Sequence, residues 1–163
     1  MEVIAYTRSK NPSAAIDLIC HSQGCVVAAL ACPKDIRTMI FTAPPANVLD
    51  TEHKIRQICE QYGMTFTKNE TVRLLRKDGS TIIIPPEYWR VRDNLDAQEM
   101  YNKLAEQTGL AIIMATKDEV LGDVILDRLS PKVNIIKMAT GHNFEGTSRQ
   151  ELLHVIGEEL GNE

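Results

Sequence analysis

Short apolar runs alternate with amphipathic segments along much of the chain. The apolar runs of strand length lie at residues 15–19, 37–42, 110–115 and 133–138. Helical patterns occur at residues 1–10, 23–31, 121–129 and from 148 onward. Nearly continuous apolar strands that alternate with helices are typical of a parallel sheet buried on both faces. The pattern therefore predicts an α/β fold, a parallel sheet of about four strands with helices on both faces.

Residues 46–109 interrupt this alternation. We expect a helix near Thr51–Tyr62, followed by a β-hairpin whose strands, 71–75 and 80–84, flank an Asp78-Gly79 turn. Another helix is expected over Asp96–Gln107. The chain is therefore predicted to form one domain over 1–163, with a small helix–hairpin–helix insertion over 46–109.

A five-residue segment, Cys20-His21-Ser22-Gln23-Gly24, joins the first predicted strand to an apolar helix. A serine at a tight strand-to-helix turn is held out of the sheet, with its hydroxyl exposed at a helix N-terminus. That is the geometry of a nucleophile elbow, in which Gly24 lets helix and strand approach closely. Cys20 stands where the pattern has glycine. The alternative is that Ser22 is an ordinary helix N-cap.

Two later segments offer partners for Ser22. Thr116-Lys117-Asp118-Glu119 and Thr140-Gly141-His142-Asn143-Phe144 each follow an apolar strand. Open parallel sheets collect functional groups at the carboxyl ends of their strands. A serine hydroxyl needs a base, and the base needs a group that orients it. The alternatives are a helix cap for Asp118, a surface loop position for His142 and a structural role for His21.

These three motifs, in this order, resemble the C-terminal half of the α/β-hydrolase family. The resemblance implies that Ser22 is the nucleophile, His142 the general base and Asp118, in preference to Glu119, the acid that holds the imidazole. It also implies an oxyanion donor at the Gln23 N–H. The implied function is that of a serine hydrolase, which cleaves a carboxylic ester or related acyl bond through an acyl-enzyme.

In that family an insertion at this point caps the active site and shapes the acyl pocket. The residues expected to line such a pocket are Met64, Phe66, Tyr88 and Trp89. The alternative for each is packing between the insertion and the body of the domain. The expected partner is accordingly a small-molecule acyl substrate.

The family also places several strands and helices before the elbow, among them the loop that supplies a second oxyanion donor. Here the elbow strand begins after about fifteen residues. We therefore expect a partial α/β-hydrolase fold with an open edge at the elbow strand. A homo-oligomer or a missing N-terminal half would complete it. The alternative function is a catalytically weak or inactive hydrolase-like module that acts in binding or assembly.

Composition narrows the partners. Hydrophobic residues make up 44% and charged residues 25% of the chain, which is ordinary for a globular protein. The net charge of −4 argues against a nucleic-acid partner, because phosphate binding needs a basic surface. The small basic cluster Arg73, Arg76 and Lys77 is better explained as a solvated hairpin face.

The cysteines argue against a metal or a disulfide framework. Cys20, Cys25, Cys32 and Cys59 form no C-x-x-C pair and have no metal-ligand spacing with histidine. We expect neither metal nor cofactor, and a reducing, cytoplasmic compartment. No apolar run approaches the roughly 20 residues that a membrane span needs, so no span is expected.

Overall fold

The computed structural model describes residues 2–46, 49–75 and 79–161, with the backbone alone at 49–51, 53 and 54. Contacts divide the chain into two compact units, residues 1–46 with 97–163 and residues 47–96. In chain order the elements are α1 (Glu2–Lys10), β1 (Asp17–His21), α2 (Gln23–Ala31), β2 (Thr38–Thr42), α3 (Leu49–Gln61), β3 (Val72–Leu75), β4 (Thr81–Ile84), α4 (Pro86–Arg92), α5 (Ala97–Ala105), β5 (Gly109–Ala115), β6 (Val133–Met138) and α6 (Ser148–Glu159).

The first unit carries a four-stranded sheet in the order β1-β2-β5-β6, and all three pairings are parallel. Strand β1 begins two residues later than expected. Its first residue, Asp17, pairs with Thr38 and accepts a hydrogen bond from Arg37 Nε at 2.9 Å. This ion pair joins the start of β1 to the residue just before β2. The predicted parallel sheet is confirmed.

Side chains alternate between the two faces of the sheet, and helices cover both. On one face Met39 and Phe41 pack with Cys25 of α2 and Tyr101 of α5. On the other face, Ile156 of α6 packs with a cluster formed by Ile40, Ala111, Ile113 and Met138. The expectation of helices on both faces is therefore confirmed.

Strand β1 lies at one edge of this sheet and is incompletely covered. Ile19 pairs with Ile40, yet Ile40 is fully buried whereas 55% of Ile19 is exposed. The two residues share a face, so cover on that face stops between β2 and β1. The elbow strand is thus an edge strand with a bare apolar side chain.

The connection from β5 to β6 differs from the prediction. Residues 121–129 form an irregular loop with short turns rather than a helix. Two side-chain amides of α5, one helical turn apart, bind this segment instead. Gln98 donates to the Ile125 carbonyl at 3.3 Å and accepts the Arg128 N–H at 3.0 Å. Asn102 donates to the Arg128 carbonyl at 2.9 Å and accepts the Ser130 N–H at 2.7 Å. These bonds replace those that a helix would have made internally.

The second unit contains α3, the β3–β4 hairpin and α4. The antiparallel pairing of β3 with β4 confirms the expected hairpin, although Asp78 of its turn lies outside the described residues. Arg73 of the basic cluster is exposed on β3, and Arg76 and Lys77 also lie outside the described residues. The unit has its own core of Ile55, Cys59, Phe66, Val72, Leu74, Ile84 and Trp89.

The insertion differs from the prediction in its C-terminal limit and in one additional helix. The second unit ends at residue 96, not 109, because α5 belongs to the sheet-bearing unit. There Tyr101 packs edge-on against Phe41, with ring centroids 5.3 Å apart, and donates to the Pro45 carbonyl at 2.9 Å. Helix α4 was not expected. It begins at Pro86, a position where the missing N–H of proline costs nothing because the first N–H groups of a helix have no intrahelical acceptor.

Candidate active site

Ser22 occupies a strained turn between β1 and α2. Its φ is 51° and its ψ is −125°, a conformation that a residue with a side chain seldom adopts. The turn is fixed at both backbone ends. The Ser22 N–H donates to the Thr42 carbonyl at 2.9 Å, and the Ser22 carbonyl accepts the Cys25 N–H at 3.0 Å. The side chain makes no capping bond to α2, although Ser22 stands at the N-cap position.

His142 lies within hydrogen-bond distance of Ser22, although the two residues are 120 positions apart. Its Nε2 is 3.0 Å from Ser22 Oγ, and its Nδ1 is 2.7 Å from Asp118 Oδ2. A carboxylate only accepts, so Nδ1 carries the proton that is donated to Asp118. Nε2 is then the acceptor for the Ser22 hydroxyl. The His142 and Asp118 side chains are 7% and 1% exposed, so the contact between them is shielded from water, whereas Ser22 is half-buried.

Backbone N–H groups of the turn that follows β5 orient the Asp118 carboxylate. Its Oδ1 accepts the N–H groups of Val120 at 2.8 Å and Leu121 at 2.6 Å, which leaves Oδ2 for the imidazole. The carboxylate thus caps a turn and faces His142 at the same time, whereas the helix that it would cap in the alternative interpretation does not form.

Glu119 contacts the backbone of His142 rather than its ring. Glu119 Oε2 accepts the His142 N–H at 3.0 Å. Its own N–H and the His142 N–H together hold the pKa of the Glu119 carboxyl below its usual range. Asp118, the acid that the family resemblance favours over Glu119, is the residue in contact with the ring.

His21, for which a structural role is expected from the sequence, lies beside His142. Its Nδ1 lies 2.9 Å from Thr42 Oγ1, and its ring contacts that of His142. Burial is the main cause that lowers the pKa of His21, and the nearby His142 adds to it. The ring of Phe144 approaches His21 edge-on. Phe144 is buried and has a φ of 51°. The contact could have been suspected only from the position of His21 beside Ser22.

The neighbouring thiols are poor competitors for the role of nucleophile. Burial raises the pKa of both Cys20 and Cys25. Cys25 also donates its Sγ–H to the Cys20 carbonyl at 3.3 Å. All four cysteines of the chain are free. The thiols of Cys20 and Cys25 are therefore both protonated near neutral pH.

The remaining predicted site residues are Gln23, in the same turn as Ser22, and four residues of the second unit. Gln23 is the first residue of α2, so its backbone N–H belongs to the helix N-terminus beside Ser22. Phe66 and Trp89 are buried in the core of the second unit, edge-on to each other at 5.3 Å. Tyr88 is half-buried and Met64 is exposed. Their expected role in substrate binding stays a prediction.

Within the described ranges, no group of three or more His, Cys, Asp or Glu side chains is arranged to hold a metal ion. Over the same part of the chain, every helix is too short or too polar to cross a membrane.

Comparison with known proteins gives a match at the level of structure alone. No protein-family model matches the chain, and neither does any curated protein. Among solved structures, the chain is similar to the esterase domain of a Rhodothermus marinus protein, with a TM-score of 0.64 and 10% sequence identity. The match covers 96% of this chain and 65% of that one, so the chain spans about two thirds of the length of the esterase domain. The chain therefore has an esterase-like α/β fold.

Proposed function

We propose that this chain is a serine hydrolase of the α/β-hydrolase type, which cleaves a carboxylic ester or a related acyl bond. The observation that carries the proposal is the hydrogen-bonded series Ser22–His142–Asp118 at the carboxyl edge of the sheet, in which His142 and Asp118 are buried. The similarity of the fold to that of a solved esterase domain supports the proposal.

In the proposed reaction His142 Nε2 takes the Ser22 proton as Ser22 Oγ attacks the acyl carbon. The tetrahedral intermediate collapses when His142 passes that proton to the leaving oxygen, which departs as an alcohol and leaves an acyl-serine. Water then attacks the acyl-serine with His142 as the base, and the products are a carboxylic acid and the free serine. The Asp118 carboxylate stabilises the imidazolium at each step.

The geometry around Ser22 favours this role because it is fixed before substrate arrives. The backbone of the turn is tied to Thr42, which fixes the main chain from which the hydroxyl projects toward His142. Asp118 is likewise tied by two N–H groups. Pre-organised groups of this kind lower a barrier because no reorganisation is needed during the reaction.

The oxyanion that forms in this reaction requires donors. The Gln23 N–H is the first one we propose, and the second has to come from outside the elbow. Loss of one such donor typically costs about 100- to 1,000-fold in turnover. The exposed Ile19 on edge strand β1 supports the proposal that a further strand, from a second copy or from another chain, pairs here and completes the site.

The same edge supports the second candidate, a hydrolase-like module with weak or no activity that acts in binding or assembly. Labelling of the intact chain distinguishes the two candidates, because a fluorophosphonate reacts only with an activated serine.

Substrate contacts and location complete the proposal. Met64, Phe66, Tyr88 and Trp89 remain the proposed acyl-pocket residues, and Met64 and Tyr88 can touch a ligand without opening the core of the second unit. The free cysteines favour a cytoplasmic location.

The experiment is fluorophosphonate labelling combined with hydrolysis of a short-chain p-nitrophenyl ester. We expect wild type to label and Ser22→Ala to lose both signals. Asp118→Asn should lower the rate about a thousandfold or more, because the amide cannot stabilise the imidazolium or hold the required tautomer. Asp127→Asn, an exposed acid in the same connection, is the matched control and should react like wild type. Equal labelling of Ser22→Ala would identify another nucleophile and refute the proposal.

A further inference from the structure

Two consecutive acids hold His142 at two different points. Asp118 accepts from the Nδ1 of its ring, and Glu119 accepts from its backbone N–H at 3.0 Å. The serine mechanism uses the first contact and leaves the second without a role. Yet the second one fixes the main chain from which the imidazole projects, in a loop that has no regular secondary structure of its own.

The residue before His142 gives independent evidence for this contact. A Cβ atom on Gly141 would lie 2.7 Å from Glu119 Oε2, closer than side chains approach each other. Gly141 is not among the glycines of positive φ, so its backbone conformation does not require glycine. The absence of a side chain is instead what lets the carboxylate reach the His142 N–H.

We propose that Glu119 is a positioning residue, which fixes the backbone of His142 so that Nε2 stays within reach of Ser22 Oγ. The inference rests on the proposed function for its effect on rate, but the contact itself can be tested without it. Glu119 touches neither the serine nor the reacting atoms, so it acts through the histidine alone.

The nature of the contact predicts how different replacements behave. The lowered pKa of Glu119 means that the carboxylate is ionised at neutral pH and offers two oxygens to the two backbone N–H groups. A glutamine keeps one acceptor oxygen at the same reach, an aspartate is one methylene too short, and an alanine has no acceptor. A role based on reach therefore predicts that Glu119→Gln works best of the three, although Glu119→Asp keeps the charge.

Misplacement of a catalytic group by about 1 Å can cost on the order of a hundredfold in rate. We expect Glu119→Ala and Glu119→Asp to lower kcat roughly ten- to a hundredfold with KM little changed, and Glu119→Gln to stay within about threefold of wild type. Glu145→Ala is the matched control, because it removes an exposed acid from the loop of His142 without touching the histidine N–H. It should keep the wild-type kcat.

Gly141→Ala adds a test in the other direction. The atom that the new methyl group would meet is the mobile end of a side chain, so the fold should tolerate the change while the carboxylate is displaced. Gly141→Ala alone should lower kcat about as much as Glu119→Ala. In a Glu119→Ala background it should lower kcat less than twofold further, because nothing then occupies that space. Additive losses in this double-mutant cycle would overturn the proposal.

Amide hydrogen exchange at His142, followed by NMR, tests the contact without any substrate. The His142 amide should exchange slowly in wild type and at least tenfold faster in Glu119→Ala, with the amides of β5 and β6 unchanged. Equal exchange in the two proteins would overturn the proposal. If wild type failed to react with a fluorophosphonate, the proposed function would fall while this measurement still decided the role of Glu119.

Discussion

His21 and His142 lie side by side, with ring centroids 4.9 Å apart and ring planes inclined at 54°. The hydroxyl of Thr42, the last residue of β2, determines which nitrogen of the His21 ring carries the proton. Thr42 Oγ1 donates its one proton to the Cys20 carbonyl at 3.2 Å, so His21 Nδ1 must be the donor in the 2.9 Å contact with that hydroxyl. Neutral His21 thus presents an unprotonated Nε2, and no second positive charge stands beside His142.

The lowered pKa of His21 makes the free energy of unfolding depend on pH in a defined direction. The pKa of His21 is lowered in the folded chain, whereas an unfolded histidine titrates at about 6.5. As pH falls through that range, the unfolded chain takes up the proton first, so the free energy of unfolding decreases until the folded pKa is passed. We expect His21→Gln to show a smaller decrease between pH 7.5 and 5, measured by urea unfolding.

His154→Gln is the control for that measurement, since His154 is an exposed residue of α6 with 75% of its side chain accessible. It should keep the wild-type pH dependence. A His21→Gln protein with the full wild-type decrease would show that His21 is not the group responsible.

The strain at Ser22 has its own measurable consequence. A residue in such a backbone conformation costs about 1–3 kcal/mol, and glycine relieves that cost. Glycine adds roughly 0.5–1 kcal/mol of unfolded-chain entropy, so the net gain should be about 1 kcal/mol. We expect Ser22→Gly to melt at a higher temperature than Ser22→Ala, which keeps the Cβ atom and serves as the control. Identical melting temperatures would mean that the turn is not strained.

The hydrogen bonds from Gln98 and Asn102 of α5 to the connection between β5 and β6 should contribute to the free energy of unfolding. Gln98 is buried, and its removal takes away its hydrogen bonds to the Ile125 carbonyl and from the Arg128 N–H. We expect Gln98→Ala to lower the free energy of unfolding by about 2 kcal/mol. Gln150→Ala, an exposed glutamine on α6, should change it by less than about 0.5 kcal/mol. Chemical denaturation of the two variants provides the comparison.

Edge strand β1 predicts association in solution. In a parallel pair, alternate residues bond to the neighbour, and the bonds of Ile16 and Ser22 to β2 leave the Ile19 N–H and carbonyl facing outward. An open apolar edge is a template for pairing with another chain. Light scattering should give a mass above the 18.2 kDa of the chain, and Ile19→Lys should lower it.

Leu153→Lys is the matched control, because Leu153 is an equally exposed apolar residue on α6, away from the edge. Its mass should equal that of wild type. A monomer at all concentrations, with slowly exchanging amides at Ile16–Cys20, would show that the edge is closed in another way.

The sheet could be predicted because its signals are local. Each buried strand is an apolar run of its own, and the order of the runs fixes a parallel arrangement once helices lie between them. The helix prediction for residues 121–129 was wrong because it, too, relied on a local signal. The local pattern of this segment suits a helix, but Gln98 and Asn102 bind its backbone from about 27 residues away, as in the contact between Gln98 and Ile125. No pattern within the segment encodes those bonds.

The site was predictable only in part. The positions of Ser22, Asp118 and His142 after strands suggested that they would meet, and hydrogen bonds join them. The contact between Glu119 and the His142 backbone depends on which way two loops turn toward each other. The only trace of that contact in the sequence is Gly141. The fate of Phe66 and Trp89 likewise depended on burial in a core that the sequence did not delimit.

The strand order β1-β2-β5-β6 follows the order of the chain, and this has a consequence for how the protein is made. Synthesis runs from the N-terminus, so each sheet strand leaves the ribosome after the one it pairs with, and the sheet can grow from one side. The backbone partners of the turn at Ser22 are Cys25 and Thr42, which are made soon after it, whereas His142 follows the serine by 120 residues. Under the proposed function, reactivity is the last property the nascent chain acquires. Any product ending before β6 would carry the serine yet be inert toward acyl substrates.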